Sequence, residues 1–324
     1  MALSTATRLD KGGGMGLTRV APLFPLLVLP LGCSLAGTGE QLLAARLRSG
    51  GFAPVDMQKG DISLHYWRGG NGAPLVLLHG FGGDGVGSWQ AQLGDLRHDH
   101  RLYVPDLLWF GQSHGGGPPS LDSQVAAVVA LLDQEGLARA DVMGISYGGF
   151  VALQLAATAP TRIDHLIIVD SPGPYFSAED EAAMVARFGK PSAEALFLPD
   201  DPAGVQTLLD LTLHRPRHYP TFLLRDLQKN VFSAHRDEQR SLLADLHARR
   251  ETWSAPDLSG HPAPLVVWGR YDEVFPVTIG QKLADTLGAT LTVIPDTAHG
   301  PCIEAPDAFN AAIHSYLDNA AKPR

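Results

Sequence analysis

The chain has 324 residues, 45% of them hydrophobic and 18% charged, with a net charge of −9. That length is ample for one large α/β domain with an insertion. The acidic balance, with no basic stripe to offset it, argues against a nucleic-acid partner, and no segment reaches the roughly 20 apolar residues that span a bilayer.

The first forty residues read as a leader. Val20 to Leu31 (V-A-P-L-F-P-L-L-V-L-P-L) is apolar but short and broken by three prolines, with Arg8, Lys11 and Arg19 upstream and small residues after it. This is the charged, apolar and small-residue order of an export signal. Met15 opens a compact charged region of its own, M-G-L-T-R, so either methionine can start it. Leu31-Gly32-Cys33-Ser34 resembles a bacterial lipobox, with Pro30 where leucine is usual and Leu31 where a smaller residue is common. Two readings stand: lipidation of Cys33, or an ordinary signal or retained apolar anchor in which Cys33 is incidental. Both expect an exported protein, periplasmic or associated with a membrane through its N-terminus. Only Cys302 remains as a partner, so no disulfide framework is indicated.

From about residue 53 the pattern becomes regular. Val55–Gln58 and Ile62–Trp67, separated by Lys59-Gly60-Asp61, read as a β-hairpin. Strand-like runs follow at Pro74–Leu78, Arg101–Pro105, Asp141–Ile145, His165–Val169, Leu265–Trp268 and Thr290–Ile294. Several are continuously apolar, as expected of strands covered on both faces. Helical stretches fall at Ser120–Glu135, Tyr147–Ala159, Thr278–Leu287 and Pro306–Leu317, with Pro160 and Gly288 as stops. The alternation predicts an α/β fold, a mostly parallel sheet with helices on both faces. Residues 173–255 contain no convincing strand, only amphipathic segments at Glu179–Arg187, Val205–Leu213, Tyr219–Asn230 and Arg240–Glu251. The expected organisation is therefore a leader at 1–40, a core at 41–172 and 256–324, and a helical cap at 173–255.

Gly144-Ile145-Ser146-Tyr147-Gly148 lies where a strand turns directly into a helix. A serine hydroxyl needs a base and a stabilised oxyanion before it attacks a carbonyl. A tight strand-to-helix turn lifts Oγ above the sheet and aims the next N–H at the reacting centre, and such a turn demands small neighbours. A merely structural serine in a glycine-rich turn is the bland alternative, which the flanking strand and helix weigh against. His299 and Asp272 follow the last two strands, at the edge where ligands bind in open α/β sheets, in the order Ser…Asp…His.

These features together resemble the α/β-hydrolase superfamily, in its esterase/lipase-like branch, over roughly residues 50–320. The resemblance rests on Leu78-His79-Gly80-Phe81-Gly82-Gly83, the Gly144–Gly148 turn, Trp268-Gly269-x-x-Asp272-x-x-x-Pro276, and His299 followed by Glu304-x-Pro306. It implies Ser146 as nucleophile, His299 as general base and acid, Asp272 as its orienting acid, and the backbone N–H groups of Phe81 and Tyr147 as oxyanion hole. His79 and Glu304 are expected to support loops, and Cys302 to be a packed small residue. Asp170 is the rival for the acid, because some members of the superfamily use that position. Trp109 departs from the pattern D-x-x-G-x-G-x-S, standing where the first glycine belongs, and either walls the substrate cavity or packs beneath the cap. The implied activity is carboxylic-ester hydrolysis of a small-molecule substrate through an acyl-enzyme, with no cofactor and no metal. Carbon–carbon bond hydrolases, prolyl aminopeptidases and perhydrolases keep the same triad, and a slow-turnover ligand-binding protein is a further alternative.

Overall fold

Eight strands form one sheet in the computed structural model, which describes residues 35–320. They are β1 (Ala53–Lys59), β2 (Ile62–Gly69), β3 (Ala73–Leu78), β4 (His100–Pro105), β5 (Ala140–Ile145), β6 (Ile163–Val169), β7 (Leu265–Gly269) and β8 (Thr290–Ile294). The spatial order is β1-β2-β4-β3-β5-β6-β7-β8, with β1 and β2 antiparallel and the rest running parallel from β4 onward. Each expected run is a strand, lengthened by a residue or two at most at either end. The chain moves outward from β3 to β4 and then returns across β3 to β5. The strand order reverses there, and the end of β5 is where crevices open in sheets of this kind.

Helices cover both faces among the described residues. α1 (Leu35–Ser49), α2 (Gly85–Leu96) and the last helix cover one; α3 (Leu121–Gln134) and α4 (Tyr147–Thr158) cover the other. Strand periodicity decides the sides: Leu75 and Leu77 pack with Trp89, Leu93 and Phe309, whereas Val76 and Leu78 pack with Val128, Leu131 and Val151. α3 begins with a capping box in which Ser120 and Ser123 satisfy each other's backbone N–H.

Five helices lie between β6 and β7: α5 (Ala178–Arg187), α6 (Ala193–Phe197), α7 (Pro202–Leu211), α8 (Thr221–Asn230) and α9 (Arg236–Arg249). The last of them is tied to the core, because the Leu121 N–H donates to Asp245 Oδ2 (2.8 Å) and Arg249 bridges Asp245 and Asp122. α10 (Val277–Leu287), the single turn α11 (Pro301–Glu304) and α12 (Pro306–Ala320) complete the chain, and α10 stops at Gly288 with φ 60°.

Two of the longer helices, besides the short α6 and α11, were not read from the sequence. α1 begins at Leu35, inside the stretch assigned to the leader, and α2 contains Gly85, Gly87 and Gly94. Glycine costs a helix about 1 kcal/mol relative to alanine, so local propensity hides both. Tertiary contacts make up the difference in α2: Asp84 caps its first turn, and Trp89, Leu93 and Leu96 are buried. The leader residues Val20–Leu31 and Cys33 lie outside the described residues. No described helix is long and apolar enough to cross a membrane.

Candidate active site

Ser146 stands between β5 and α4 with φ 52° and ψ −117°, a left-handed backbone that a side chain adopts only under constraint. Its N–H donates to the carbonyl of Val169 at the end of β6 (2.9 Å), which fixes the turn against the neighbouring strand. The glycines are required by space. A Cβ at Gly144 would lie 2.2 Å from the Gly148 carbonyl oxygen, and one at Gly148 would lie 2.3 Å from that of Leu78.

The structure brings the three separated residues together. The Ser146 hydroxyl lies 3.0 Å from His299 Nε2, and His299 Nδ1 lies 2.9 Å from Asp272 Oδ2. Asp272 Oδ1 accepts the N–H groups of Val274 (2.8 Å) and Phe275 (3.0 Å), so both carboxylate oxygens are held. The loops carrying Asp272 and His299 are pressed together at Gly269, where a Cβ would meet the Ala298 carbonyl oxygen at 1.8 Å. Tyr271 N–H then donates to the Thr297 carbonyl (2.9 Å), closing the contact. Glu304 grips the same loop: Oε2 accepts Ala298 N–H (2.7 Å), while Oε1 accepts the N–H of His214 from the cap (2.8 Å).

The segment His79–Gly83 runs beside the serine, with Gly80 so close that a Cβ there would touch Ser146 Cβ at 3.3 Å. The N–H groups of Phe81 and Tyr147 make no backbone hydrogen bond among the described residues. His79 is fully buried. Its Nδ1 donates to the Gly80 carbonyl (2.7 Å) and its Nε2 accepts Leu107 N–H (2.8 Å), while burial pulls its pKa below the usual imidazole value. It is a neutral staple between two loops.

Asp170 is not hydrogen-bonded to His299. It is completely buried at the end of β6 with φ 42°, and its Oδ1 accepts Gly269 N–H (2.8 Å). Gly269 in turn accepts Asp272 N–H on its carbonyl (3.3 Å), so one residue ties both acids together. Burial, and next the negative charge of Asp272, hold the Asp170 carboxyl well above the ordinary carboxylate range. Both causes favour the neutral form of Asp170. Its Oδ2 is buried and has no hydrogen-bond partner among the described residues.

Trp109 occupies its glycine position with φ 64°, which explains why glycine is usual there. Its ring is buried, and its carbonyl accepts from Gln239 of α9 (2.8 Å). It packs beneath the cap. Cys302 is fully buried, its thiol pushed far up by burial. Among the described residues no group of three or more His, Cys, Asp or Glu could hold a metal ion.

A cavity with about 570 Å³ of empty space, part of it open to solvent, lies between cap and core, and its Phe275 borders His299. Phe150 of α4 stacks on Trp253 (5.6 Å), and Phe275 stands edge-on to both Phe176 (4.8 Å) and His299 (5.3 Å). Met184 and Phe197 complete its apolar wall, and Glu181, His247 and Arg250 form its polar side. Trp253 and Leu246 were invisible as lining residues in the sequence, because nothing local marks which face of a cap helix turns inward.

The fold and this constellation define a class. The family model for the alpha/beta hydrolase fold matches residues 73–306, and the chain belongs to that family. It is an esterase-like hydrolase. The chain is 32% identical over 268 residues to a pimeloyl-[acyl-carrier protein] methyl ester esterase of Pectobacterium carotovorum, covering 78% of this chain and 97% of that one. It is 31% identical over 289 residues to the dihydrolipoyllysine-residue acetyltransferase component of an acetoin cleaving system of Cupriavidus necator, covering 86% and 71%. Among solved structures it resembles a putative lipase from Acinetobacter baumannii, with TM-score 0.73, 20% identity, and 87% and 96% covered.

Proposed function

We propose that the protein hydrolyses carboxylic esters with short- to medium-chain or lipid-derived acyl groups, through an acyl-enzyme on Ser146. The observation that carries this reading is the unbroken chain Ser146–His299–Asp272, at 3.0 and 2.9 Å; Phe275 joins it to the mostly apolar cavity under the cap. The Ser146 oxygen bonds to the ester carbonyl carbon as its proton passes to His299 Nε2. Asp272 holds the proton on Nδ1 and stabilises the imidazolium. The N–H groups of Phe81 and Tyr147 receive the developing oxyanion. Collapse breaks the bond to the alcohol oxygen, which leaves with the proton from His299. Water then repeats the sequence on the acyl-enzyme, releasing the acid and restoring the serine. The relatives named for ester hydrolysis favour this reading over carbon–carbon bond cleavage.

The test is Ser146→Ala assayed on p-nitrophenyl esters. Removal of the nucleophile should lower kcat by several orders of magnitude with the fold unchanged. A variant that kept more than about a tenth of wild-type activity would exclude Ser146 as nucleophile. A single stoichiometric burst from the wild type, with no further turnover, would indicate a ligand-binding protein instead.

A further inference from the structure

Five large hydrophobic side chains are exposed among the described residues, and three of them, Leu42, Phe222 and Val231, belong to one pair of packed helices. Leu42 lies on α1, Phe222 in the first turn of α8, and Val231 just past its end. Singly, exposed apolar residues mean little. The surrounding charge distinguishes this face. Residues 213–229 carry Arg215, Arg217, Arg225 and Lys229 against the one acid Asp226, in a chain whose net charge is −9. All four basic side chains are exposed, and so is His218.

The loop that presents them is held in place. Gln206 of α7 donates from Nε2 to the Arg217 carbonyl (2.8 Å), and its Oε1 accepts Tyr219 N–H (3.0 Å). Phe222 therefore projects from a fixed base. A basic, aromatic-tipped surface of this composition suits the headgroup region of an anionic bilayer, where cations meet phosphate and the ring enters the acyl boundary.

The course of the chain points the same way. α1 begins two residues after Cys33, following the apolar run Val20–Leu31. Its Glu40 accepts from Gln112 in the loop after β4 (3.5 Å), so the first turns of α1 lie at the strand edge that carries the cap. A tether reaching Leu35 would thus hold the protein by its cap end.

We propose that the α1–α8 face, centred on Arg215, Arg217, Phe222, Arg225 and Lys229, docks on an anionic phospholipid surface and turns the cap toward it. This goes beyond the esterase reading and stands without it. The test uses the full chain reconstituted into vesicles whose acyl chains are brominated, with Phe222→Trp as a depth probe read against wild type. In phosphatidylglycerol–phosphatidylethanolamine vesicles the added indole should be quenched about threefold more than in phosphatidylcholine. Arg215→Glu with Arg217→Glu, or high salt, should reduce it to the phosphatidylcholine level. These positions are exposed, so an unchanged thermal melt is expected of each variant. No quenching in anionic vesicles that carry the protein would overturn the proposal. So would quenching that ignores lipid charge and the double reversal. A blue shift that grows with protein concentration in the absence of lipid would identify a second copy as the occupant and overturn it as well.

Discussion

Ser146 and Asp170 share an uncommon property: each is a non-glycine residue with positive φ at the end of a central strand. In Ser146 the strained backbone lifts the hydroxyl toward His299. In Asp170 it turns a carboxyl inward, where burial and the charge of Asp272 favour the neutral acid. That protonation state has a consequence with a definite sign. If Asp170 is neutral, Asp170→Asn replaces one neutral group by another that can still accept Gly269 N–H, and asparagine tolerates the left-handed backbone. The acid limb of kcat/KM should therefore stay where it is. Were Asp170 ionised, the same change would remove a negative charge near the imidazole, and the limb would move to lower pH. Asp272→Asn should instead lower turnover on the order of 10³–10⁴-fold, because the histidine loses its orienting acceptor. Measured kcat/KM from pH 4 to 9 for the three proteins decides between these outcomes, and a larger loss in Asp170→Asn would move the orienting role there.

At the scale of elements, the cap decides what the serine meets. α5, α6 and α9, with Trp253 beyond them, turn apolar side chains toward Phe150 and Phe275, whereas Leu198, Leu224 and Phe232 are buried and do not line the cavity. A mostly apolar pocket holds a ligand by burial, worth about 0.8 kcal/mol per methylene. Lengthening an acyl chain from two carbons to six should then gain roughly 3 kcal/mol of transition-state binding if every methylene is sheltered. We expect kcat/KM to rise from acetyl to medium-chain p-nitrophenyl esters and to fall for long chains that outgrow the cavity under the cap. A steady decline from acetate onward would show that this cavity does not take the acyl group. Glu304 joins the cap to the site as well, with one oxygen on His214 and the other on the loop of His299.

At the scale of the molecule, the N-terminal leader is proposed to export the protein and retain it at a membrane. If Cys33 is lipidated, its acyl chains bury enough methylenes for effectively permanent anchoring. Cys33→Ala should then shift the protein from the membrane to the soluble fraction on cell fractionation. Full retention of that variant would assign the anchor to the uncleaved segment Val20–Leu31. Neither result bears on the esterase chemistry, since no residue of the site precedes Leu78.

Much of this was legible in the sequence because it is encoded locally. Continuous apolar runs specify strands buried on both faces, and Gly144-x-Ser146-x-Gly148 specifies a turn that only small residues permit. The order Ser146, Asp272, His299 follows from which strand ends lie at one edge. Other features depend on residues far apart in the chain, and no local pattern carries them. α1 and α2 exist despite their glycines because packing outweighs propensity. Trp109 lies under the cap, its ring in the core and its carbonyl held by Gln239 of α9. Asp272 rather than Asp170 meets His299 because the loop of His299 closes on Gly269, which holds Asp170 by its N–H. Which of two nearby acids ionises is settled by desolvation and by the neighbouring charge, quantities that exist only once the chain has folded.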